Sequence, residues 1–424
     1  MTPGPSCPVG LPPYRLLIRC LACGGENLRE YFRAPDQPLA NSLVDHPMLK
    51  HLPDKYPLGL NVCLDCWHSQ NLVAVDRDLM FKEYLYVSGT TDTLRNYFRQ
   101  FVIKVESEMT GLGSHPLRVL DIAANDGSLL RSFKSRGHEV LGVDPAQNLV
   151  AVAGKAGITV LPWYWEMVPE YRLGGKFDVI VAMNVLGHVD NPALFLRLAA
   201  LSLEPGGRIY IQTSQADMVV NAEFDTCYHE HLSFFTTSSF SRLAERCGLV
   251  ITKIERMPIH GTSYLVQMGR DGVIKPRRLA TTDAERTAGL YNLGLYDRFQ
   301  ERVQERVDQV KSTIEIYRAK GYSVVGYGAA AKGITFLRFA DVKLDSFVDE
   351  NPLKQGKFTT DGTPIFAEIF AEVKGAIGPV LWVVTAWNFA PEIIAKIKSK
   401  RPDAGDAFLT YFPIVVLEDP EQIQ

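Results

Sequence analysis

The densest group of proton-exchanging side chains in the sequence is the stretch YHEHLSFF at residues 228–235. Histidine titrates near neutral pH, so a histidine in this stretch can remove a proton from a substrate. The apolar residues that follow predict a buried anchor for the cluster. The stretch therefore predicts either a catalytic base or a hydrogen-bonded loop. The four side chains concerned are Tyr228, His229, Glu230 and His231.

Two C-x-x-C pairs form a second chemical group, Cys20 with Cys23 and Cys63 with Cys66. Each pair places two thiolates on one side of a tight turn, and two such turns complete a tetrahedral zinc site. Four thiolates leave no open coordination position, so we predict a structural zinc ion. The alternative is four unrelated core thiols. The Pro- and Asp-rich residues 26–60 would form an excursion between the pairs.

Apolar segments separated by helical segments predict the framework that positions these groups. Strands that alternate with helices in this way form a doubly wound parallel sheet, which binds its ligand at the carboxyl ends of the strands. Apolar residues at three- and four-residue steps in 76–110 predict an aromatic loop and a connecting helix before this sheet. The predicted strands lie within residues 118–122, 138–145, 177–189 and 206–213.

The turn after the first of these strands indicates which cofactor the sheet binds. Residues 121–127 read DIAANDG, with one glycine where a dinucleotide site has three, and they begin with Asp121. A carboxylate there repels phosphate and suits the cationic amino-acid portion of S-adenosylmethionine. Asp144 ends the second strand, where it could accept both ribose hydroxyls. The pattern favours S-adenosylmethionine over a dinucleotide, and a solvated strand-end acid is the alternative for Asp121.

The C-terminal third predicts a second α/β domain. A long amphipathic helical stretch leads into GYGAAAKG at 326–333, which resembles a nucleotide-binding turn without the full glycine pattern. Lys332, Lys354 and Trp387 could hold phosphates and stack a base, or could be ordinary surface or core residues. Further apolar strands are predicted within residues 344–352, 379–388 and 407–417.

The composition excludes several classes of protein. The 424 residues are 46% hydrophobic and 22% charged, which predicts a globular chain of two to three domains. The 45 basic residues are dispersed among 48 acidic ones, so we expect no nucleic-acid partner. There is no apolar span of roughly eighteen residues and no pattern typical of a secretory signal. We therefore expect a cytoplasmic protein, a monomer, with no membrane partner.

Eight motifs occur in the order found in the three-domain sugar C-methyltransferases, which methylate nucleotide-linked 4-keto-deoxysugars. The chain resembles this family from Cys20 to Trp387, and the combination of motifs carries the resemblance. The motifs are the paired C-x-x-C turns, YLYVSG, VLDIAANDGSLL, NVLGHVDNP, YHEHLSFF, IHGTSY, GYGAAAKG and VDENPLKQGKF.

The resemblance implies an α/β protein with three domains. A small zinc-binding domain would occupy residues 1–75, followed by the aromatic loop and connecting helix at 76–110. A Rossmann-like methyltransferase domain that binds S-adenosylmethionine would occupy residues 111–272. A Rossmann-like α/β domain that anchors the nucleotide-sugar would occupy residues 273–424.

The resemblance also implies a role for individual residues. The catalytic residues would be His231, Tyr228, Glu230, His188 and Tyr86, with Tyr84 as the alternative to Tyr86. S-adenosylmethionine would contact Asp121, Ala123, Asn125, Asp126, Gly127, Asp144 and Asn184. A nucleotide diphosphate sugar, expected to be TDP-linked, would contact Tyr84, His260, Lys332, Lys354 and Trp387.

The chemistry of carbon methylation is consistent with these residues. A ketone makes the adjacent C–H acidic because the charge of the carbanion spreads onto oxygen, so a base near neutral pKa suffices. We predict that His231 removes this proton and that tyrosine hydroxyls stabilise the enolate, in deoxysugar, natural-product or polysaccharide biosynthesis. Two alternatives stay open: a methyltransferase of the same architecture acting on oxygen or nitrogen, and a zinc-ribbon interaction protein.

Overall fold

A computed structural model describes the fold of ten stretches of the chain. They are residues 13–46, 53–82, 84, 86–90, 92–110, 116–213, 217–259, 261–273, 278–367 and 378–419. Among these residues, no helix is both long enough and apolar enough to span a membrane.

The chain forms two compact units, and each unit is assembled from three separate segments. Unit 1 comprises Met1–Arg29, Val62–Ala216 and Leu232–Tyr291. Unit 2 comprises Glu30–Asn61, Asp217–His231 and Asn292–Gln424. The four cysteines of the C-x-x-C pairs belong to unit 1, whereas most of the excursion between them belongs to unit 2. The consecutive ranges given above for the three domains stay a prediction.

Short strands and two helices precede the main sheet of unit 1. The connecting helix predicted within residues 76–110 is present, and it buries the apolar residues that predicted it, Leu94, Phe98, Phe101 and Val105. Strand β1 pairs with β5 in antiparallel orientation. The elements are β1 (Tyr14–Leu16), β2 (Leu28–Gln37), β3 (Tyr56–Cys63), β4 (Ser69–Asn71), β5 (Val73–Val75), α1 (Asp78–Phe81) and α2 (Asp92–Met109).

All four strands predicted between residues 118 and 213 are present in the next part of the chain. The elements are β6 (Arg118–Ile122), α3 (Ser128–Lys134), β7 (Glu139–Val143), α4 (Gln147–Lys155), β8 (Val160–Leu161), α5 (Glu170–Leu173), β9 (Phe177–Met183), α6 (Pro192–Ser202), β10 (Leu203–Thr213), α7 (Met218–Asn221), β11 (Ser233–Phe234), α8 (Thr237–Arg246), β12 (Leu249–Met257) and β13 (Ser263–Arg270).

The main sheet of unit 1 has seven strands in the order β12-β13-β10-β9-β6-β7-β8. Strands β10, β9, β6, β7 and β8 are parallel, but β13 is antiparallel to both β10 and β12. The prediction of a wholly parallel sheet is therefore corrected at one edge, where two antiparallel strands extend it. The order reverses between β6 and β9, and such a reversal creates a crevice at the carboxyl ends of the strands.

Helices cover both faces of this sheet, which explains why its central strands are continuously apolar. Adjacent residues of one strand point to opposite faces. Val119 and Val179 pack in a buried cluster with residues of α2 and α3, whereas Leu120 and Ile180 pack in a second cluster with residues of α6 and α8. The zinc-binding cysteines predicted above, Cys20, Cys63 and Cys66, belong to this second cluster.

The sheet of unit 2 has six strands in the order β16-β15-β14-β17-β18-β19. Its first five strands are parallel, and β19 is antiparallel to β18, so the apolar run at 407–417 contains two strands. The elements after β13 are α9 (Ala280–Thr287), which belongs to unit 1, and then α10 (Leu293–Asp297), α11 (Phe299–Ala319), β14 (Ser323–Tyr327), α12 (Ala331–Ala340), β15 (Ser346–Val348), β16 (Ile365–Phe366), β17 (Val380–Val384), α13 (Ala390–Lys400), β18 (Ala407–Thr410) and β19 (Val416–Glu418).

An aromatic cluster joins the three segments of unit 2. The ring of Phe224 contacts Phe32 of the first segment and Phe339 of the third, with centroid distances of 5.9 and 4.7 Å. Phe336 also contacts Phe224, at 5.2 Å. Buried aromatic contacts of this kind stabilise a core beyond their area alone. The excursion and the segment that carries the YHEH residues are therefore built into the core of unit 2.

Candidate functional site

Four cysteine sulfurs of unit 1 form the metal centre predicted from the sequence. All four sulfurs lie within 4.8 Å of one another. The Cys20–Cys66 and Cys23–Cys63 sulfur distances are both 3.6 Å. With a zinc–sulfur distance of about 2.3 Å, a tetrahedral site places neighbouring sulfurs about 3.8 Å apart. The cluster therefore has the dimensions of a Cys₄ zinc site.

The chemistry of the thiols also fits a cation at this centre. Hydrogen bonds with Cys20 and Cys63, together with burial, raise the pKa of the Cys66 thiol well above its ordinary value. Four thiolates so close together repel one another, and zinc removes that repulsion by coordinating them. Backbone N–H groups of Cys23 and Gly25 add hydrogen bonds to the sulfurs of Cys20 and Cys23, both at 3.4 Å.

The turn between β6 and α3 has an unusual backbone. Ala123, Asn125 and Gly127 have φ angles of 64°, 52° and 72°. This left-handed region costs glycine nothing, suits asparagine and strains alanine by about 1–2 kcal/mol. Strain of this kind is typical of functional sites, where the surrounding structure maintains it. A side chain at Gly127 would also lie 3.1 Å from Ile158.

Three buried carboxylates lie around this turn, Asp121, Asp126 and Asp144. Burial raises the pKa of Asp121 well above its ordinary value, and the charges of Asp144 and Asp126 raise it further. Among the described residues, the Asp121 Oδ1 atom is buried without a hydrogen-bond partner. A cationic ligand would satisfy this oxygen and reduce the repulsion. These residues therefore fit the positively charged cofactor predicted above and disfavour a phosphate.

Asp144 and Asn184 lie at the carboxyl ends of β7 and β9, on either side of β6. The two carboxylate oxygens of Asp144 accept backbone N–H groups of Asn125 and Ala146, both at 2.8 Å. A carboxylate has about four lone-pair positions, so Asp144 can accept further donors such as ribose hydroxyls. Asn184 has a φ of 55°, and its Oδ1 is buried without a partner among the described residues.

The aromatic loop is attached to the same edge of the sheet by two asparagines. Asn148 exchanges two hydrogen bonds with the backbone of Tyr84, at 3.3 and 2.9 Å. Asn125, in the cofactor turn, donates to the carbonyl of Tyr86 at 3.1 Å and accepts the N–H of Ser88 at 3.0 Å. The structure thus links the loop directly to the turn.

Tyr86 and His188 are two of the predicted catalytic residues in unit 1. Tyr86 is 44% exposed as a whole residue, and partial burial of its phenol, with the charge of Asp126, raises its pKa to about 12. His188 lies in a short 3₁₀ helix, Leu186–His188, after β9, and burial lowers its pKa to about 4. The phenol therefore stays a hydrogen-bond donor at neutral pH, and the imidazole stays neutral.

His231 is held in one tautomer within unit 2. Its Nδ1 lies 2.8 Å from the carbonyl oxygen of Thr226, which can only accept, so this nitrogen carries the proton. Its Nε2 lies 2.8 Å from the Tyr228 hydroxyl and therefore accepts from it. The two rings are also in contact, with centroids 4.0 Å apart. His231 is 6% exposed, so a basic nitrogen is kept at a defined position in a protected environment.

The other two members of the cluster, Glu230 and His229, have different hydrogen-bond partners. Glu230 is buried and accepts a hydrogen bond from the Asn41 amide at 2.6 Å. His229 is also buried, and its Nε2 lies 3.3 Å from the carbonyl of Tyr56. Burial lowers the pKa of His229 to about 4, so it stays neutral. The structure thus distinguishes the two histidines of the motif, since the Nε2 of His231 faces a tyrosine hydroxyl and the Nε2 of His229 faces a backbone carbonyl.

Lys332 and Trp387, predicted to bind the substrate, lie together with Asp225 in unit 2. The Lys332 ammonium lies 4.5 Å from the Trp387 ring centroid, and the indole N–H donates to Asp225 at 2.8 Å. Lys332 Nζ and Asp225 Oδ1 are both buried without hydrogen-bond partners among the described residues. Burial raises the pKa of Asp225 to about 7. A polar ligand could satisfy both orphaned atoms.

Lys354 is tethered to the glycine-alanine turn after β14. It donates to the carbonyl of Ala329 at 2.8 Å and lies 3.7 Å from Asp349. Asp349, at the end of β15, also accepts the N–H of Ala329 at 2.8 Å. The turn contains Gly328, with a φ of 91°. His260, which was also predicted to contact the substrate, lies outside the described residues.

Sequence reasoning missed Asn41 and Asp225. Asn41 is one of many polar residues in the excursion, and nothing in its local pattern marks it. Asp225 stands three residues before Tyr228, so its position beside the cluster was a signal that could have identified it.

Comparisons with known proteins match the same three parts of the chain. Family models match residues 20–81 as a zinc binding domain, 93–254 as a methyltransferase domain and 258–413 as a C-methyltransferase C-terminal domain. The chain is 27% identical over 402 residues to the C-methyltransferase NovU of Streptomyces niveus. The aligned region covers 92% of this chain and 94% of that protein.

Other relatives are similar over a smaller part of the chain. A ubiquinone biosynthesis O-methyltransferase of Aeromonas salmonicida is 28% identical over 170 residues, covering 36% of this chain and 71% of that protein. The magnesium protoporphyrin IX methyltransferase of Synechocystis, solved with bound S-adenosylmethionine, is 16% identical at a TM-score of 0.33. It covers 44% of this chain and 88% of that structure.

The matches extend over the zinc centre, the cofactor turn and the C-terminal α/β segment in chain order. They exclude the alternative of a zinc-ribbon interaction protein, because the middle and C-terminal matches are both to methyltransferases. The chain therefore combines a zinc binding domain, a methyltransferase domain and a C-methyltransferase C-terminal domain, and it is an S-adenosylmethionine-dependent methyltransferase.

Proposed function

We propose that the protein methylates the carbon beside the ketone of a nucleotide-linked 4-keto-deoxysugar, with His231 as the base. The geometry of His231 supports this proposal most directly. The carbonyl of Thr226 holds the proton on Nδ1, so the lone pair of Nε2 is available to a substrate proton whenever the Tyr228 hydroxyl turns away. A base fixed in one tautomer requires no change of tautomer before proton removal.

The reaction would use the two side chains in sequence. His231 Nε2 removes the proton from the carbon beside the ketone, and the electron pair moves onto the ketone oxygen as an enolate. The Tyr228 hydroxyl, released from Nε2, donates a hydrogen bond to that oxygen and stabilises its charge. S-adenosylmethionine, when bound, would supply the methyl group, which the enolate carbon would receive as the sulfur–methyl bond breaks and S-adenosylhomocysteine leaves. Glu230 would orient the base or accept a sugar hydroxyl.

Unit 2 would also bind the nucleotide part of the substrate. The orphaned ammonium of Lys332 could pair with a diphosphate oxygen. Trp387 and Lys354 would complete this site, and we propose a TDP-linked sugar as its ligand. A cytoplasmic location belongs to the same proposal, since reduced thiols are typical of that compartment. We also propose that the protein acts as a monomer.

The proposal can be tested by hydrogen exchange without methyl transfer. We expect the protein, incubated with a TDP-4-keto-deoxysugar and S-adenosylhomocysteine in deuterated water, to exchange the hydrogen beside the ketone. Other nucleotide diphosphates carrying the same sugar should exchange it more slowly. Methyl transfer to a hydroxyl or amine, with no exchange at carbon for any 4-keto-sugar, would instead favour an O- or N-methyltransferase.

The cofactor site gives a separate prediction for Asp144. We expect Asp144→Ala to weaken S-adenosylmethionine binding, because hydrogen bonds to a charged acceptor contribute about 1.5–3 kcal/mol each. Affinity for the nucleotide-sugar should change little. Titration calorimetry with each ligand measures both.

Asp178→Ala is a matched control for Asp144→Ala. Asp178 also accepts a backbone N–H, that of Arg118 at 2.8 Å, but it lies at the amino end of β9. We expect this variant to lose a similar hydrogen bond and to keep its cofactor affinity. Equal affinities in wild type and Asp144→Ala would mean that another residue binds the ribose.

A further inference from the structure

The excursion between the two cysteine pairs carries a residue that contacts the YHEH cluster. Asn41 donates its side-chain amide to Glu230 at 2.6 Å, across 189 residues of sequence. Both residues belong to unit 2. Glu230 is 4% exposed, so this hydrogen bond forms in a protected environment, where it orients the carboxylate strongly.

Side chains and backbone of the C-terminal segment fix the position of the loop that carries Asn41. The Arg338 guanidinium donates to the carbonyls of Pro38 and Leu39, at 3.1 and 3.2 Å. Val44 and Phe358 exchange two backbone hydrogen bonds, both at 2.8 Å. Asn41 lies between these two attachments in the sequence, so its backbone is held on both sides.

An amide is an informative partner for a buried carboxylate. A lysine or arginine in the place of Asn41 would bring a positive charge to Glu230, whereas an amide orients the carboxylate without adding a charge. A carboxylate can accept several hydrogen bonds, so Glu230 could receive a sugar hydroxyl while Asn41 holds it. The observed pairing therefore suits a carboxylate that acts on a polar ligand.

We propose that Asn41 is a positioning residue for catalysis, which orients Glu230 toward the substrate. This inference rests on the proposed function, because it assumes that Glu230 contacts the sugar or the base. It assigns an active-site role to the excursion, which the zinc-binding turns alone do not explain.

Three variants of Asn41 test the inference, with the single variant Glu230→Gln for comparison. We expect Asn41→Ala to lower kcat about 10-fold, the effect of losing one hydrogen bond to a charged group, with KM for S-adenosylmethionine unchanged. Asn41→Asp would place two carboxylates together, and such a pair retains a proton. Its kcat should therefore rise, relative to wild type, as the pH falls. In the double variant Asn41→Asp/Glu230→Gln the donor and acceptor are exchanged, and this extra pH dependence should disappear.

Asp45→Ala is the control on the same loop. Asp45 forms an ion pair with Lys357 at 2.6 Å, but its side chain is 86% exposed, so the pair contributes little. We expect wild-type kcat for this variant. Thermal unfolding of all variants should show that each is folded.

The outcomes separate this inference from the proposed function. If Glu230→Gln lowers kcat and Asn41→Ala does not, Glu230 acts without Asn41 and the inference is overturned. If Glu230→Gln itself turns over at the wild-type rate, the inference fails together with the role of Glu230. Absence of hydrogen exchange by the wild-type protein is measured separately and would contradict the proposed function alone, since kcat can be followed on any methyl acceptor.

Discussion

The variant His231→Asn should keep the fold and both ligand affinities but lose about 10²–10⁴ in turnover, the range for a positioned acid–base group. Asparagine can still accept a hydrogen bond, but it does not take up a proton near neutral pH. Exchange of the substrate hydrogen into deuterated water should fall in parallel, because that step needs the same base. The measurement uses S-adenosylhomocysteine, so that methyl transfer does not contribute.

Two neighbouring residues provide controls for this prediction. His229→Asn makes the same substitution two positions earlier, at a buried imidazole that contacts the carbonyl of Tyr56. It should lower stability more than turnover. Tyr228→Phe should slow exchange and turnover less than His231→Asn, since it removes a hydrogen bond and leaves the base.

One result would reassign the base. If His231→Asn still exchanges the hydrogen at the wild-type rate, the proton must be removed elsewhere, with His188 and Tyr86 as the next candidates. His188 is neutral, with its pKa lowered to about 4, so it could accept a proton but would be a weak base. Tyr86, whose pKa is raised to about 12, would act more readily as a donor.

Loss of zinc is expected to unfold the N-terminal part of unit 1. Structural zinc contributes about 10–16 kcal/mol in zinc-finger peptides, and its binding free energy is also folding free energy. Cys20, Cys63 and Cys66 are part of the buried cluster that includes Phe240 of α8. Cys66→Ser should therefore lower the unfolding temperature of the protein more than it lowers the catalytic rate of the folded protein. Elemental analysis of this variant should show less than one zinc per chain.

Cys247→Ser is the matched control for the metal prediction. Cys247 is also buried in that cluster, and its thiol donates to the carbonyl of Ala193 at 3.4 Å. Serine can make the same hydrogen bond, so we expect a small loss of stability and a full complement of zinc. Freshly purified wild-type protein without zinc would contradict the assignment of the four cysteines.

Local features of the fold could be predicted from the sequence. The predicted bounds of strand β6 match the observed ones, because a short, mainly apolar segment leads there into a turn of small residues. The cysteine cluster was predicted because each pair of ligands is close in sequence. The connecting helix was predicted from a periodicity that its buried side chains confirm.

Features that depend on distant contacts could not be predicted in this way. Asn41 contacts Glu230 across 189 residues, and Trp387 contacts Asp225 across 162. Periodicity within a segment carries no information about such partners. The antiparallel strands β12 and β13 were also missed, because an alternating pattern of strands and helices favours a wholly parallel sheet. The roles of individual site residues stay predictions.

The interleaving of the two units bears on protein synthesis and on engineering. Unit 2 begins with Glu30–Asn61 but is completed only by Asn292–Gln424, so its first segment leaves the ribosome long before its last partners do. Exchange of the C-terminal range alone between relatives would give a hybrid unit, with the Phe32 and Phe224 rings of the host against foreign partners. A transplant of substrate specificity therefore requires all three segments to be moved together.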